Sequence, residues 1–161
     1  MRQHINHLHV SAEGKTDLLI TRLFNAPRNL VFDTMTKPEL LKRWFHGPPG
    51  WTLNVCEVDL RVNGKYRYVW NSENGSTLGM GGIFTEIEAP KRYVATEAFD
   101  QSWYPGEAVN ITTLIEQGEQ TKLHLLVRYQ SKEARDGVLR SPMEQGLSYG
   151  YDRLEEYLET L

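Results

Sequence analysis

Cysteine is nearly missing from this chain. Cys56 stands alone among 161 residues, so no intramolecular disulfide and no multi-cysteine metal site can form, and a reducing cytoplasm is the expected setting. Long hydrophobic runs are also missing. The longest apolar stretches are a few residues, far short of a membrane span. The opening Met1-Arg2-Gln3-His4-Ile5-Asn6 lacks the apolar core of a secretory signal. There is no basic excess either: 18 Lys and Arg face 21 Asp and Glu, for a net charge of −3, which argues against a general nucleic-acid binder. No repeat, low-complexity stretch or long linker divides the sequence. What is present is an ordinary globular composition, 40% apolar and 24% charged, with four Trp, eight Tyr and five Phe. A single domain over 1–161 is expected, with 1–16 as an edge strand and turn and 17–161 as the core. A chain of this size buries roughly 70% of its unfolded surface.

Hydrophobic patterning places the elements. Segments 4–10 and 17–24 read as strands, with Leu18, Ile20 and Arg22 alternating against Leu19, Thr21 and Leu23, and turn residues at 11–16 make them a hairpin. Pro27 suits a helix start with Asn25 as its cap. Thr36 and Glu39 have capping-box spacing for a second short helix that carries Leu40, Leu41, Trp44 and Phe45. Gly47-Pro48-Pro49-Gly50 ends it. From Trp51 to Gln130 the pattern is a strand meander, with Asn74-Gly75 as a hairpin turn. Tyr66, Tyr68 and Trp70 share one strand face while Lys65 and Arg67 take the other. The faces at 52–60, 78–87 and 92–99 do not separate. Ser141, Pro142 and Glu144 then open a helix of about 20 residues, whose stripe comprises Met143, Leu147, Gly150, Tyr151, Leu154, Leu158 and Leu161. The expected class is α+β, a curved antiparallel sheet wrapped around a long C-terminal helix, with two short helices after the first core strand.

Three segments carry a family resemblance. Asn25-Ala26-Pro27 with Val31-Phe32 and Lys37 through Trp44 forms the first, and Asp59-Leu60-Arg61-Val62-Asn63-Gly64-Lys65-Tyr66-Arg67 the second. Ser141 through Gly146 with Tyr151-Asp152-Arg153-Leu154 forms the third. In this order, over about 17–161, they resemble the START-like SRPBCC superfamily, in its branch named for the activator of heat-shock protein 90 ATPase. The resemblance implies a helix-grip fold in which sheet and long helix enclose a cavity for an apolar or aromatic ligand. It does not name the ligand.

The aromatic side chains are the strongest functional signal. Trp44, Trp51, Tyr66, Tyr68, Trp70, Phe84, Phe99 and Trp103, with Met143, Leu147, Gly150 and Leu154 of the closing helix, are the candidate cavity residues. Glu57, Glu97 and Tyr68 are the polar groups that would matter if they face inward, because a buried carboxylate has a raised pKa and can move protons. No catalytic constellation is recognisable, and no metal or nucleotide cofactor is expected. His4, His7 and His9 read as edge-strand histidines, and His124 shares an outward face with Lys122 and Arg128. Gly79-Met80-Gly81-Gly82 continues as strand rather than helix, so it reads as a bend or close backbone approach, not a phosphate loop. Charge is uneven: 28–70 holds seven basic and four acidic residues, 86–119 two and seven, which reads as a solvated surface. The expected function is binding of a small hydrophobic or aromatic molecule, without catalysis, by a monomer or homodimer. A polyketide-cyclase-like enzyme and a chaperone-ATPase-activating interaction module are the alternatives.

Overall fold

Alternation of apolar and polar residues is cleanest in β2 (Asp17–Phe24), where Leu18, Ile20, Arg22 and Phe24 are all buried. In the computed structural model, which describes residues 6–102, 104 and 106–161, this strand belongs to one sheet of eight antiparallel strands. The others are β1 (His9–Glu13), β3 (Trp51–Val58), β4 (Lys65–Ser72), β5 (Thr77–Glu88), β6 (Arg92–Phe99), β7 (Ala108–Gln117) and β8 (Gln120–Arg128). Their spatial order is β1-β2-β8-β7-β6-β5-β4-β3. The meander thus closes back on the first hairpin through β8, and β1 and β3 are the edges. Between β2 and β3 lie α1 (Arg28–Thr36) and α2 (Pro38–Leu41), and after β8 come α3 (Lys132–Arg140) and α4 (Met143–Leu158). This is the α+β helix-grip layout.

Several local details depart from the sequence expectations. The first strand runs over His9–Glu13 rather than 4–10, with Val10 opposite Ile20 and the turn narrowed to 14–16; His4 lies outside the described residues. An exposed edge strand is held by its backbone ladder and needs no apolar pattern, so Ser11-Ala12-Glu13 pairs although it reads as turn. Asn25 does not cap α1. Its carboxamide oxygen accepts from Gln120 Nε2 at 2.6 Å, and Pro27 takes the cap position. Thr36 does not cap α2, because its hydroxyl donates back to the Phe32 carbonyl at 2.7 Å. Lys37 takes the cap position there, and Pro38 is the first helical residue.

The closing helix also differs. It is 16 residues long, about 24 Å at the α-helical rise, and a separate nine-residue helix, α3, precedes it. Ser131 caps α3, its hydroxyl accepting from the Ala134 amide at 3.0 Å. Ser141 closes α3 instead of opening α4: its amide and hydroxyl both donate to the Val138 carbonyl. The second half of α4 is the anchored half. Tyr151, Leu154, Glu155 and Leu158 are buried, and Glu155 accepts from the Asn25 amide and from Asn6 Nδ2. The first half, with Met143, Leu147 and Gly150, is only partly covered.

Candidate functional site

The strand alternation carries the predicted aromatics inward. Tyr66, Tyr68 and Trp70 are buried on the inner face of β4, and Arg67 lies outward with Asp100 in a two-fold ion pair of 2.6 Å contacts. Trp44 is buried, its indole donating to the Thr34 carbonyl at 2.9 Å; Trp70 donates likewise to the Phe45 carbonyl. These rings and Phe84 form a continuous array. Phe45 meets Tyr68 and Trp70 edge-on at 5.4 and 5.1 Å, Tyr66 meets Tyr68 and Phe84, and Trp44 meets Tyr151 at 6.5 Å. Such spacings are those of rings packed on rings. Trp51 and Phe99 are half-buried near strand ends, and Leu154 is fully buried. Trp103 lies outside the described residues. Beyond its own helix backbone and chain neighbours, Gly150 has no atom within 4 Å of where a Cβ would stand, so the helix is not pressed against a neighbour there.

Of the three polar candidates, Glu57 points away: it is exposed on edge strand β3, opposite Arg67. Tyr68 and Glu97 face inward. Glu97 pairs with Ala108 of β7, and the same inner face carries Tyr93, Ala95, Asn110, Thr112 and Leu114. Toward β5 the ladder is interrupted beside it. Pairing runs through Gly81 and Ala98, resumes at Phe84 and Ala95, and skips the two positions between. There the Ile83 amide donates to Thr96 Oγ1 at 2.9 Å, and the Thr96 carbonyl accepts from the Tyr66 hydroxyl at 2.6 Å. Gly82 makes this possible, since a Cβ at that position would run into the Thr96 carbonyl oxygen. Gly81 lies against the Tyr66 carbonyl, where a Cβ would stand 2.7 Å away, and a Cβ at Gly79 would strike the Asp100 carboxylate. The glycine cluster is therefore a bare track that other groups cross.

Glu97 accepts from Asn110 Nδ2 at 2.8 Å, and the Asn110 Oδ1 atom is buried without a hydrogen-bond partner among the described residues. Glu97 and Tyr93 share the inner face of β6, and each keeps part of its surface open. Burial pushes the Glu97 carboxyl up, and the Asn110 hydrogen bond pulls it partly back. Its charge is felt by the hydroxyls of Tyr66, Tyr104, Tyr129 and Tyr151, which are themselves raised first by burial. Burial lifts Tyr93 to about 12 despite a hydrogen bond with Thr112. The tyrosines are therefore neutral near pH 7. Five segments supply them: Tyr66 comes from β4, Tyr93 from β6, Tyr104 and Tyr129 from the loops after β6 and β8, and Tyr151 from α4. Tyr104 and Tyr129 meet edge-on at 5.3 Å.

The arrangement offers one carboxyl group and several phenols, chemistry suited to hydrogen bonding or to passing a proton. Sequence reading identified Tyr66 and Glu97. It missed Tyr93, Tyr104, Asn110 and Tyr129, and took Tyr151 only as part of an apolar stripe. The available signal was the i, i+4 placement of Tyr93 and Glu97 on one strand, hidden by the β5–β6 irregularity.

Other features lie elsewhere. An open groove of about 710 Å³ is lined by Glu57, Asp59, Arg61, Lys65, Arg67 and Gly81 among others, where the outer face of the sheet meets the β3–β4 loop. Its arginines, Arg61 and Arg67, are paired with Asp59 and Asp100. Cys56 is buried and its thiol is pushed up by burial, as for an inert core cysteine. No helix among the described residues is long and apolar enough to cross a membrane.

Solved structures share this architecture. A Rhodobacter sphaeroides protein is 28% identical, covering 96% of this chain and 99% of its own, with a TM-score of 0.91. A Nitrosomonas europaea protein is 26% identical over 92% of this chain and 97% of its own, at a TM-score of 0.80. A Mycobacterium smegmatis protein, 22% identical over 94% and 97%, has the same fold at 0.83. No curated protein matches the sequence. The family model described as activator of Hsp90 ATPase homolog 1-like protein matches residues 25–159, nearly the whole chain. The three resembling segments and the helix-grip fold agree with that match, and the chain belongs to this family.

Proposed function

We propose that the inner face of β6–β7 and the first half of α4 enclose a recess that binds a small molecule with an apolar or aromatic body. The observation that carries this reading is Glu97, a carboxyl deep in the fold that keeps open surface beside neutral tyrosines. A side chain there with no role toward a ligand would have been cheaper as an apolar residue. The unfilled space at Gly150 supports the same reading, since it lies in the stripe of α4 that is only partly covered. Nile red uptake tests it. The parent protein is expected to enhance the dye's fluorescence, and Gly150→Leu to abolish the enhancement while keeping its denaturant midpoint at or above the parent's. No enhancement by the parent, or full enhancement by a stable Gly150→Leu variant, overturns the reading.

The inward carboxyl also favours a second reading, a cyclase-like reaction in which Glu97 takes or gives a proton. A carboxyl raised by burial among neutral phenols suits a general acid or base. The two readings separate at Glu97→Gln. An enzyme loses turnover in that variant while still taking up its ligand, whereas a binding module has no turnover in either protein.

A further inference from the structure

Resting on the interior binding site just proposed, we infer that its occupant is an organic cation: an apolar or aromatic body carrying a protonated amine, held beside Glu97 among the tyrosine rings. The argument begins with missing countercharge. A carboxylate taken deep into a fold is costly unless a cation or several donors compensate it. Glu97 receives one neutral donor, Asn110 Nδ2 at 2.8 Å, and burial outweighs it. Among the described strand residues of the inner face, Arg22 is the one cation. It is engaged elsewhere, with the Asn6 carbonyl, Asp152 at 3.2 Å and the Phe24 ring at 5.2 Å.

The surroundings of Glu97 are also of one kind. Tyr66 uses its hydroxyl proton on the Thr96 carbonyl, leaving only acceptor capacity toward the recess. Asn110 Oδ1 is a further acceptor with no hydrogen-bond partner among the described residues. Ring faces carry negative potential and attract ammonium groups, more strongly once water is displaced. Glu107, exposed in the loop before β7, adds a second carboxylate that acts on the Tyr66 hydroxyl. A neutral aromatic ligand would leave Glu97 uncompensated, and an anionic one would be repelled. A protonated amine satisfies the carboxylate, the acceptors and the rings together.

Three probes of one shape test this: naphthylmethylamine, naphthylmethanol and naphthylacetate, titrated calorimetrically into the protein. The amine is expected to bind roughly tenfold or more tightly than the alcohol, as for a desolvated cation among rings and a carboxylate, with the acetate weakest. Glu97→Gln should remove the amine's advantage and leave the alcohol's affinity unchanged. A readout on the unmutated protein guards against a variant that fails to fold. The advantage should fade as pH drops and Glu97 takes up a proton, because the facing Tyr66, Tyr93, Tyr104, Tyr129 and Tyr151 stay neutral throughout. Glu107, being exposed, is separated by Glu107→Gln, which should leave most of the preference intact. Alcohol binding as tight as amine binding overturns the inference while the binding site stands. So does a preference that survives Glu97→Gln or low pH. Failure of all three probes to bind overturns the binding-site reading and this inference with it.

Discussion

Gly82 and Gly150 are both glycines inside regular elements, yet their surroundings are opposite. At Gly82 a Cβ would meet the Thr96 carbonyl oxygen that the Tyr66 hydroxyl uses. Gly82→Ala should therefore destabilise by about 1–3 kcal/mol, the usual cost of overpacking, and alter the Tyr66 environment. At Gly150 nothing stands within 4 Å, so Gly150→Ala should gain about 1 kcal/mol of helix propensity. Urea denaturation of the two variants checks both signs. Glu97 makes a pH-dependent prediction of its own. Its carboxyl is raised in the folded state, so the folded chain holds the proton more tightly than the unfolded chain does. Stability from this group is full below the ordinary value of 4.5 and declines as pH rises through the folded-state pKa. Asp17 behaves oppositely, because Arg128 holds it low and its contribution is lost as pH falls. Glu97→Gln should raise the melting temperature at neutral pH and show no excess below pH 4, so the difference from the parent isolates Glu97. A neutral variant that is less stable at pH 7 would contradict the assignment.

The elements show what local patterning can and cannot specify. β2 alternates strictly, β4 does so through Trp70 and β8 through Leu123, and Tyr66, Tyr68 and Trp70 point inward as their spacing predicts. The strands at 52–60 and 78–87 resisted orientation for a physical reason. An extra residue shifts the register between Leu53 and Val55 in β3 and between Phe84 and Glu86 in β5, and one such residue reverses every side chain beyond it. β6 stayed ambiguous because it borders the second irregularity. The helix α3 was hidden by Gly137 and by the polar sequence around it, and Ser141 carried the right residue type for the wrong helix. Arg135 shows why α3 matters. It is buried, and Nη1 donates to the Asp17 carbonyl at 2.7 Å and to those of Glu13 and Gly14 at 3.3 Å. The helix thereby ties down the β1–β2 turn. Arg135→Ala should cost about 1–3 kcal/mol through buried carbonyls left without donors. Hydrogen exchange should speed up in β1 and the turn before it does in β8. Uniform acceleration across the sheet would assign Arg135 a global role instead.

At the scale of the molecule, the sheet and α4 divide their work along the helix. The second half of α4 is pinned by Tyr151, Leu154 and the Glu155–Asn25 contact, while in the first half Met143 and Leu147 pack against the core only partly buried. The sheet and closing helix were legible because the strands and the apolar stripe of α4 are periodic signals, whereas α3 was not. The candidate site was only half legible. Tyr66 and Glu97 could be named, whereas their neighbours come from β7, from the loops after β6 and β8, and from the meeting of β5 and β6, which no local pattern reports. The outer groove near Arg61 and Gly81 and the inner face that carries Glu97 lie on opposite sides of the sheet. Location is thus the decisive observable. Amide chemical-shift mapping of isotopically labelled protein titrated with naphthylmethylamine should place the perturbations on Glu97, Asn110, Tyr129 and the Leu147–Tyr151 turn of α4. Perturbations confined to Asp59–Arg67 and Gly79–Gly81, or none at saturating probe, would contradict an interior binding site.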